Sequence, residues 1–152
     1  MGKRRKSRIL ALQLLYQYEI RKDPSAELLE EFCGEHKKLN PDILDYAGSI
    51  FTETMNHLER IDGTIVKLAL HWKINRLSLV DKCILRIAIC EILFRNDIPE
   101  KVAIDEAIEV AKQYGGEDSG AFVNGLLDRL IRIQDTDPRE PTTTAPEGSF
   151  TD

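Results

Sequence analysis

Two stretches of this chain are apolar almost all the way round a helix, and a helix of that kind has to be enclosed by others. From Ile9 to Tyr18 the apolar side chains, spaced at about 100° per residue, cover most of the circumference, with Gln13 and Gln17 as polar exceptions. From Leu79 to Phe94 only Asp81, Lys82, Arg86 and Glu91 interrupt the apolar surface. Each stretch predicts the central helix of its half of the chain. The periodicity elsewhere is also helical, with few β-alternations, so the fold class is all-α with about seven helices.

The punctuation divides the helices. The first is predicted over Lys3–Arg21, ending before Asp23-Pro24 because a proline disfavours helix at the preceding residue. Ser25 is read as the cap of a second helix reaching Glu35. Asn40-Pro41 opens the third, with Asn as cap and Pro in the first turn, extending to about Arg60. Asp62 is read as the cap of a fourth helix over Gly63–Trp72. Ser78-Leu79-Val80-Asp81 resembles the S-x-x-[DE] capping signal and opens the fifth, which ends at Phe94. The sixth is predicted from Glu100 or Lys101 to Tyr114, closed by Gly115-Gly116 through a left-handed C-cap. The seventh covers Asp118–Ile133. Residues 135–152 hold three of the six prolines and almost nothing apolar, and read as a disordered acidic tail. The predicted organisation is an N-terminal bundle over 1–74, a C-terminal bundle over 75–134 and the tail.

Charge is distributed unevenly. The chain of 152 residues has a formal net charge of −5, yet Lys3, Arg4, Arg5, Lys6 and Arg8 place +5 in the first eight residues and leave −10 for the rest. Cations are disfavoured at a helix N-terminus, where the macrodipole is already positive, so something outside the helix is expected to compensate them. A polyanion is one candidate, and a solvated, tag-like terminus is the other. No run approaches the ~18 apolar residues of a membrane span, and no small-residue cleavage site follows the short apolar stretch, so neither a membrane protein nor a secretory signal is expected. Cys33, Cys83 and Cys90 are odd in number and show no C-x-x-C spacing. They read as packed, reduced thiols in a cytoplasmic protein.

Enzyme chemistry finds little support. His36, His57 and His71 are scattered without metal-ligand spacing, no nucleotide-binding or nucleophile motif occurs, and Asp105-Glu106 fits favourable placement near a helix N-terminus. No cofactor and no metal are expected. Two places resist a purely structural account. Lys82 and Arg86 are like charges at i, i+4, either forming a basic strip or, for Arg86, satisfied by an intramolecular ion pair. Phe122-Val123-Asn124-Gly125 puts two poor helix formers inside the last helix, suggesting close helix approach at Gly125 and a polar task for Asn124. Phe122 is either core or a ring on which an RNA base stacks.

Several runs together resemble the NusB transcription antitermination family. They are Leu85-Arg86-Ile87-Ala88 with Glu91, Asp97-Ile98-Pro99 followed by Val102-Ala103-Ile104-Asp105-Glu106-Ala107, and Ala111-Lys112-Gln113-Tyr114-Gly115. Phe122-Val123-Asn124-Gly125-Leu126-Leu127-Asp128 and the early Ala11-Leu12-Gln13-Leu14-Leu15-Tyr16 complete the set. The resemblance covers about Lys3–Leu130, with Asp105 standing where Asn is common. It implies two small helical bundles and a non-catalytic factor. It also implies binding of the boxA element of nascent, single-stranded RNA together with NusE, a ribosomal small-subunit protein, within the RNA polymerase antitermination complex that supports ribosomal RNA transcription. On this resemblance Lys3, Arg4, Arg5, Lys6 and Arg8 supply an arginine-rich RNA contact, Lys82, Arg86, Phe122 and Asn124 supply the rest of the RNA surface, and Asp81 and Asp118 tune affinity. If all five N-terminal cations touched phosphates of single-stranded RNA, the logarithmic salt slope would be about −3.5. The rival reading is a protein-interaction module whose basic arm binds an acidic partner. The same fold also fronts an RNA cytosine methyltransferase, a weak reading here because a tail stands where the catalytic domain would follow. A homodimer burying the basic face stays open.

Overall fold

The structure is a computed structural model that describes residues 2–71 and 77–136. It is all-α among these residues, with seven α-helices in two compact units, Met1–Asn56 and His57–Asp152.

The first unit contains α1 (Lys3–Arg21), α2 (Ser25–Glu35) and α3 (Pro41–Asn56). α1 is the helix the others enclose: Ala11, Leu14 and Leu15 have no exposed surface, and α1 packs most extensively along α3. Phe32 of α2 and Ile50 and Phe51 of α3 bury their side chains in the same unit. α1 ends on a left-handed residue, Lys22 (φ 61°), whose N–H donates to the Tyr18 carbonyl at 2.8 Å. That C-cap stops the helix two residues before Pro24. Ser25 is the first helical residue of α2 and not its cap, a position that Pro24 takes without any side-chain hydrogen bond. Asn40 does cap α3, its Oδ1 accepting from the Asp42 N–H at 2.8 Å.

The second unit contains α4 (Leu58–Leu68), which tightens into a 3-10 turn at Ala69–His71, then α5 (Leu79–Phe94), α6 (Glu100–Tyr114) and α7 (Ser119–Thr136). α5 is its centre, packing on α4, α6 and α7, with 12 of its 16 residues buried. Ser78 caps it as the sequence indicates, accepting from the Asp81 N–H at 3.0 Å.

Several boundaries differ from expectation. α3 stops at Asn56, and α4 starts at Leu58, not Gly63, so Asp62 lies within α4 and caps nothing. The division between units accordingly falls at Asn56/His57 instead of after residue 74, because α4 packs on α5 and α7 of the second unit. Gly115 is not left-handed: it is extended (φ −92°, ψ −170°), and no described glycine has positive φ. Space is what requires glycine there, since a Cβ would stand 2.6 Å from the Ser119 Cβ and 2.8 Å from the Ala111 carbonyl oxygen. Close approach of α7 to a neighbouring helix is seen at Gly120, where a Cβ would meet Lys112 Cγ of α6 at 3.3 Å. α7 continues to Thr136, and the acidic tail beyond it, like Trp72, lies outside the described residues.

Candidate nucleic-acid interface

The basic run becomes the first turn of α1, rooted in a buried helix. Gly2 provides the N-cap without a side-chain hydrogen bond, so the positive end of the helix dipole and the cations coincide. Lys3, Arg4 and Lys6 are exposed and Arg5 is half-buried. At about 100° per residue, Lys3, Arg4 and Ser7 share the side toward α3, whereas Arg5 and Lys6 fall on the other side of the turn.

Part of the compensation expected for these charges comes from α3. Lys3 Nζ lies 3.6 Å from the Asp42 carboxylate, and the Arg4 guanidinium sits over the Tyr46 ring, 3.7 Å from its centroid. The Ser7 hydroxyl, fully enclosed, donates to the Ile43 carbonyl at 2.8 Å and pins the turn in place. Between the two helices lies an open groove of about 490 Å³ lined by Lys3, Arg4, Ser7, Asp42, Asp45, Tyr46 and Ser49.

Arg8 corrects the expectation for the arm. It is buried (5% exposed), its guanidinium 5.9 Å from the Tyr46 centroid, because one turn further along α1 has entered the packed part of the unit. The cations that can meet a polyanion directly are therefore Lys3, Arg4, Arg5 and Lys6.

Arg86 corrects the second expectation. It is 1% exposed, and its Nε and Nη2 donate to the two carboxylate oxygens of Asp62, each at 2.9 Å. That bidentate fork is the strong form of a charge-assisted pair, and it ties α4 to α5. Arg86 thus has the intramolecular ion pair and lines no exposed strip, leaving Lys82, half-buried, as the only member of that pair near the surface. Asp81 is likewise buried, 6% exposed, and its backbone belongs to the Ser78 cap. Asp118 is exposed just before α7.

On α7, Phe122 is half-buried and Asn124 exposed. Residues two apart on a helix project about 200° from each other, so these two side chains do not share a face. The basic turn belongs to the first unit, and Lys82, Phe122 and Asn124 belong to the second.

Sequence reasoning missed the residues that organise these groups. Tyr46 and Asp42 of α3 carried a readable signal, since Asp42, Asp45, Tyr46 and Ser49 form a polar stripe at i, i+3, i+4, i+7. Asp62, 24 positions before Arg86, carried none. Among the described residues no cluster of three or more His, Cys, Asp or Glu side chains could hold a metal ion, and no helix is long and apolar enough to cross a membrane. His57 stacks on Phe94 at 3.9 Å, and Cys83 and Cys90 are buried thiols outside any disulfide.

The sequence and the all-α fold both have counterparts among known proteins. A profile of the NusB family matches residues 5–132. The chain belongs to the NusB family. Among curated relatives, the transcription antitermination protein NusB of Acetivibrio thermocellus is 44% identical over 131 residues, covering 86% of this chain and 90% of the relative. That of Myxococcus xanthus is 42% identical over 133 residues, covering 86% and 95%. Among solved structures, NusB of T. maritima superposes with a TM-score of 0.76 at 38% identity, covering 87% of this chain and 92% of that one. A structure of the antitermination factors NusB and NusE in complex with double-stranded RNA gives a TM-score of 0.76 at 29% identity, covering 88% and 98%. As a member of this family the chain is a transcription antitermination factor and not an enzyme.

Proposed function

We propose that this chain binds boxA-type single-stranded RNA together with NusE, and that it acts within the RNA polymerase antitermination complex in the cytoplasm to support transcription of ribosomal RNA. The observation that carries the reading is the first turn of α1: exposed cations on a rigid, buried helical root, at the positive end of the helix dipole. A related structure that holds NusB, NusE and RNA together supports the choice of partners. Phosphate attraction at Lys3, Arg4, Arg5 and Lys6 supplies affinity, and Lys82, Phe122 and Asn124 of the second unit supply further contacts. Arg86 enters only as a positioning residue that holds α5, the helix bearing Lys82, against α4.

The test is an electrophoretic mobility shift with a boxA-containing RNA and a scrambled control, with and without NusE. Binding to boxA that NusE strengthens, and that alanine at Arg4 and Arg5 weakens, supports the reading. Binding of NusE without any RNA retention would instead favour a protein-interaction module.

A further inference from the structure

The groove between α1 and α3 holds more than a phosphate-binding surface needs. Asp42, Asp45, Tyr46 and Ser49 form one stripe of α3, and Lys3, Arg4 and Ser7 face it from α1 around a cleft of about 490 Å³. Clefts that take small organic groups have volumes of about 300–1,000 Å³. Two carboxylates in the lining oppose a phosphate. Arg4, moreover, rests on a ring, 3.7 Å from the Tyr46 centroid, and Tyr46 is fixed by burial at 6% exposure. A guanidinium held against a ring offers its second planar face outward, and nucleobases stack on such faces.

We propose that this groove is a nucleobase pocket in which a guanine of bound single-stranded RNA stacks on the outer face of Arg4 and donates its N1–H and N2–H to the Asp45 carboxylate. The base follows from the chemistry of the acceptor. An ionised carboxylate only accepts hydrogen bonds, and guanine is the base whose pairing edge presents two adjacent donors. Asp42 is engaged by Lys3 at 3.6 Å, which leaves the exposed Asp45, three residues further along the same stripe, to read that edge. Tyr46 is a positioning residue that sets the plane of Arg4. This pocket rests on the RNA-binding reading above and adds a base preference to a turn that otherwise attracts phosphates without regard to sequence.

The experiment is a fluorescence-anisotropy titration of the full chain with boxA-type RNA whose guanines are replaced one at a time by inosine, which lacks the N2 amino group. One replacement is expected to weaken binding about 5-fold or more, the low end of what a bidentate base contact contributes. Asp45→Asn, an exposed and isosteric change, should weaken the guanine RNA by a similar factor and abolish the inosine effect. Arg4→Lys should weaken binding while the salt slope stays the same, since the charge is kept and the planar face is lost. The pocket is refuted if Asp45→Asn strengthens binding to every RNA alike, if the inosine effect persists in that variant, or if the unaltered chain binds with its normal salt dependence yet ignores inosine. A chain that retains no RNA at all would overturn the RNA-binding reading and the pocket together.

Discussion

Asp62→Ala should destabilise the second unit much more than Arg86→Met does, although the two residues form one ion pair. Truncating Asp62 leaves a guanidinium that is 1% exposed without its bidentate acceptor. Removing the carboxylate partner of a buried charge costs about 3–5 kcal/mol. The side chain of Asp62 is itself 30% exposed, so water can enter where it was, and the low end, about 3 kcal/mol, is expected. Arg86→Met leaves the carboxylate at that partly wet site, where it can be hydrated, and fills the buried channel with an apolar chain. Its cost should be about 1 kcal/mol, the level of a single lost hydrogen bond. The double variant should resemble Arg86→Met, since the buried guanidinium is gone in both. Urea unfolding followed by far-UV circular dichroism measures all three, read as midpoints at constant slope. In a thermal scan the Asp62→Ala loss corresponds to about 12 °C or more for a unit of this size. A cost for Asp62→Ala below about 1 kcal/mol, the level of a surface ion pair, would show that the buried guanidinium does not depend on Asp62. So would a larger cost for Arg86→Met. The same Arg86→Met protein should bind RNA with an unchanged salt slope, which a direct phosphate contact at Arg86 would not allow.

Two further changes test the local structure. Gly115→Ala should destabilise the α6–α7 connection by about 1–3 kcal/mol, because the new Cβ overlaps Ser119 and the Ala111 carbonyl, and disturbs the 2.8 Å bond from the Gly116 N–H to Ser119 Oγ; thermal unfolding measures it, and Gly116→Ala, with nothing closer than 3.8 Å, is the control expected to cost less. Ser78→Ala should cost about 1 kcal/mol in urea unfolding by removing the cap that accepts from the Asp81 N–H.

The helices were legible wherever polar punctuation coincided with the end of an apolar stripe. α1 begins and ends where the sequence indicates, and α2 and α5 do so to within a residue. A break between α3 and α4 was expected near Arg60–Asp62, but its true position was not legible because nothing marks it: Leu58, Ile61 and Ile65 continue a helical period through His57, with no proline at the break. The helix that looked like the end of the first bundle therefore belongs to the second, and Asp62, read as a cap, turned out to be the acceptor for Arg86. The basic turn was visible from composition alone. Which of its cations face outward was not, because the burial of Arg8 depends on α1 having already entered its packing with α3 one turn after Lys3 and Arg4. Local spacing likewise could say that Lys82 and Arg86 share a helix face but not that a carboxylate 24 residues earlier reaches only the second of them.

Affinity for RNA is assigned to four cations of the first turn of α1, the exposed Lys3, Arg4 and Lys6 and the half-buried Arg5. The most direct test is the salt dependence of binding to single-stranded RNA by the unaltered chain, by a variant with Gln at Lys3, Arg4, Arg5 and Lys6, and by Arg8→Gln. Four phosphate contacts contribute about −2.8 to the slope of log affinity against log salt, compared with −3.5 for five. The quadruple variant should lose a slope of about 2.8, and Arg8→Gln, if still folded, should lose none. A slope that the quadruple variant leaves unchanged, or one that Arg8→Gln lowers by as much as an exposed cation does, would contradict that assignment.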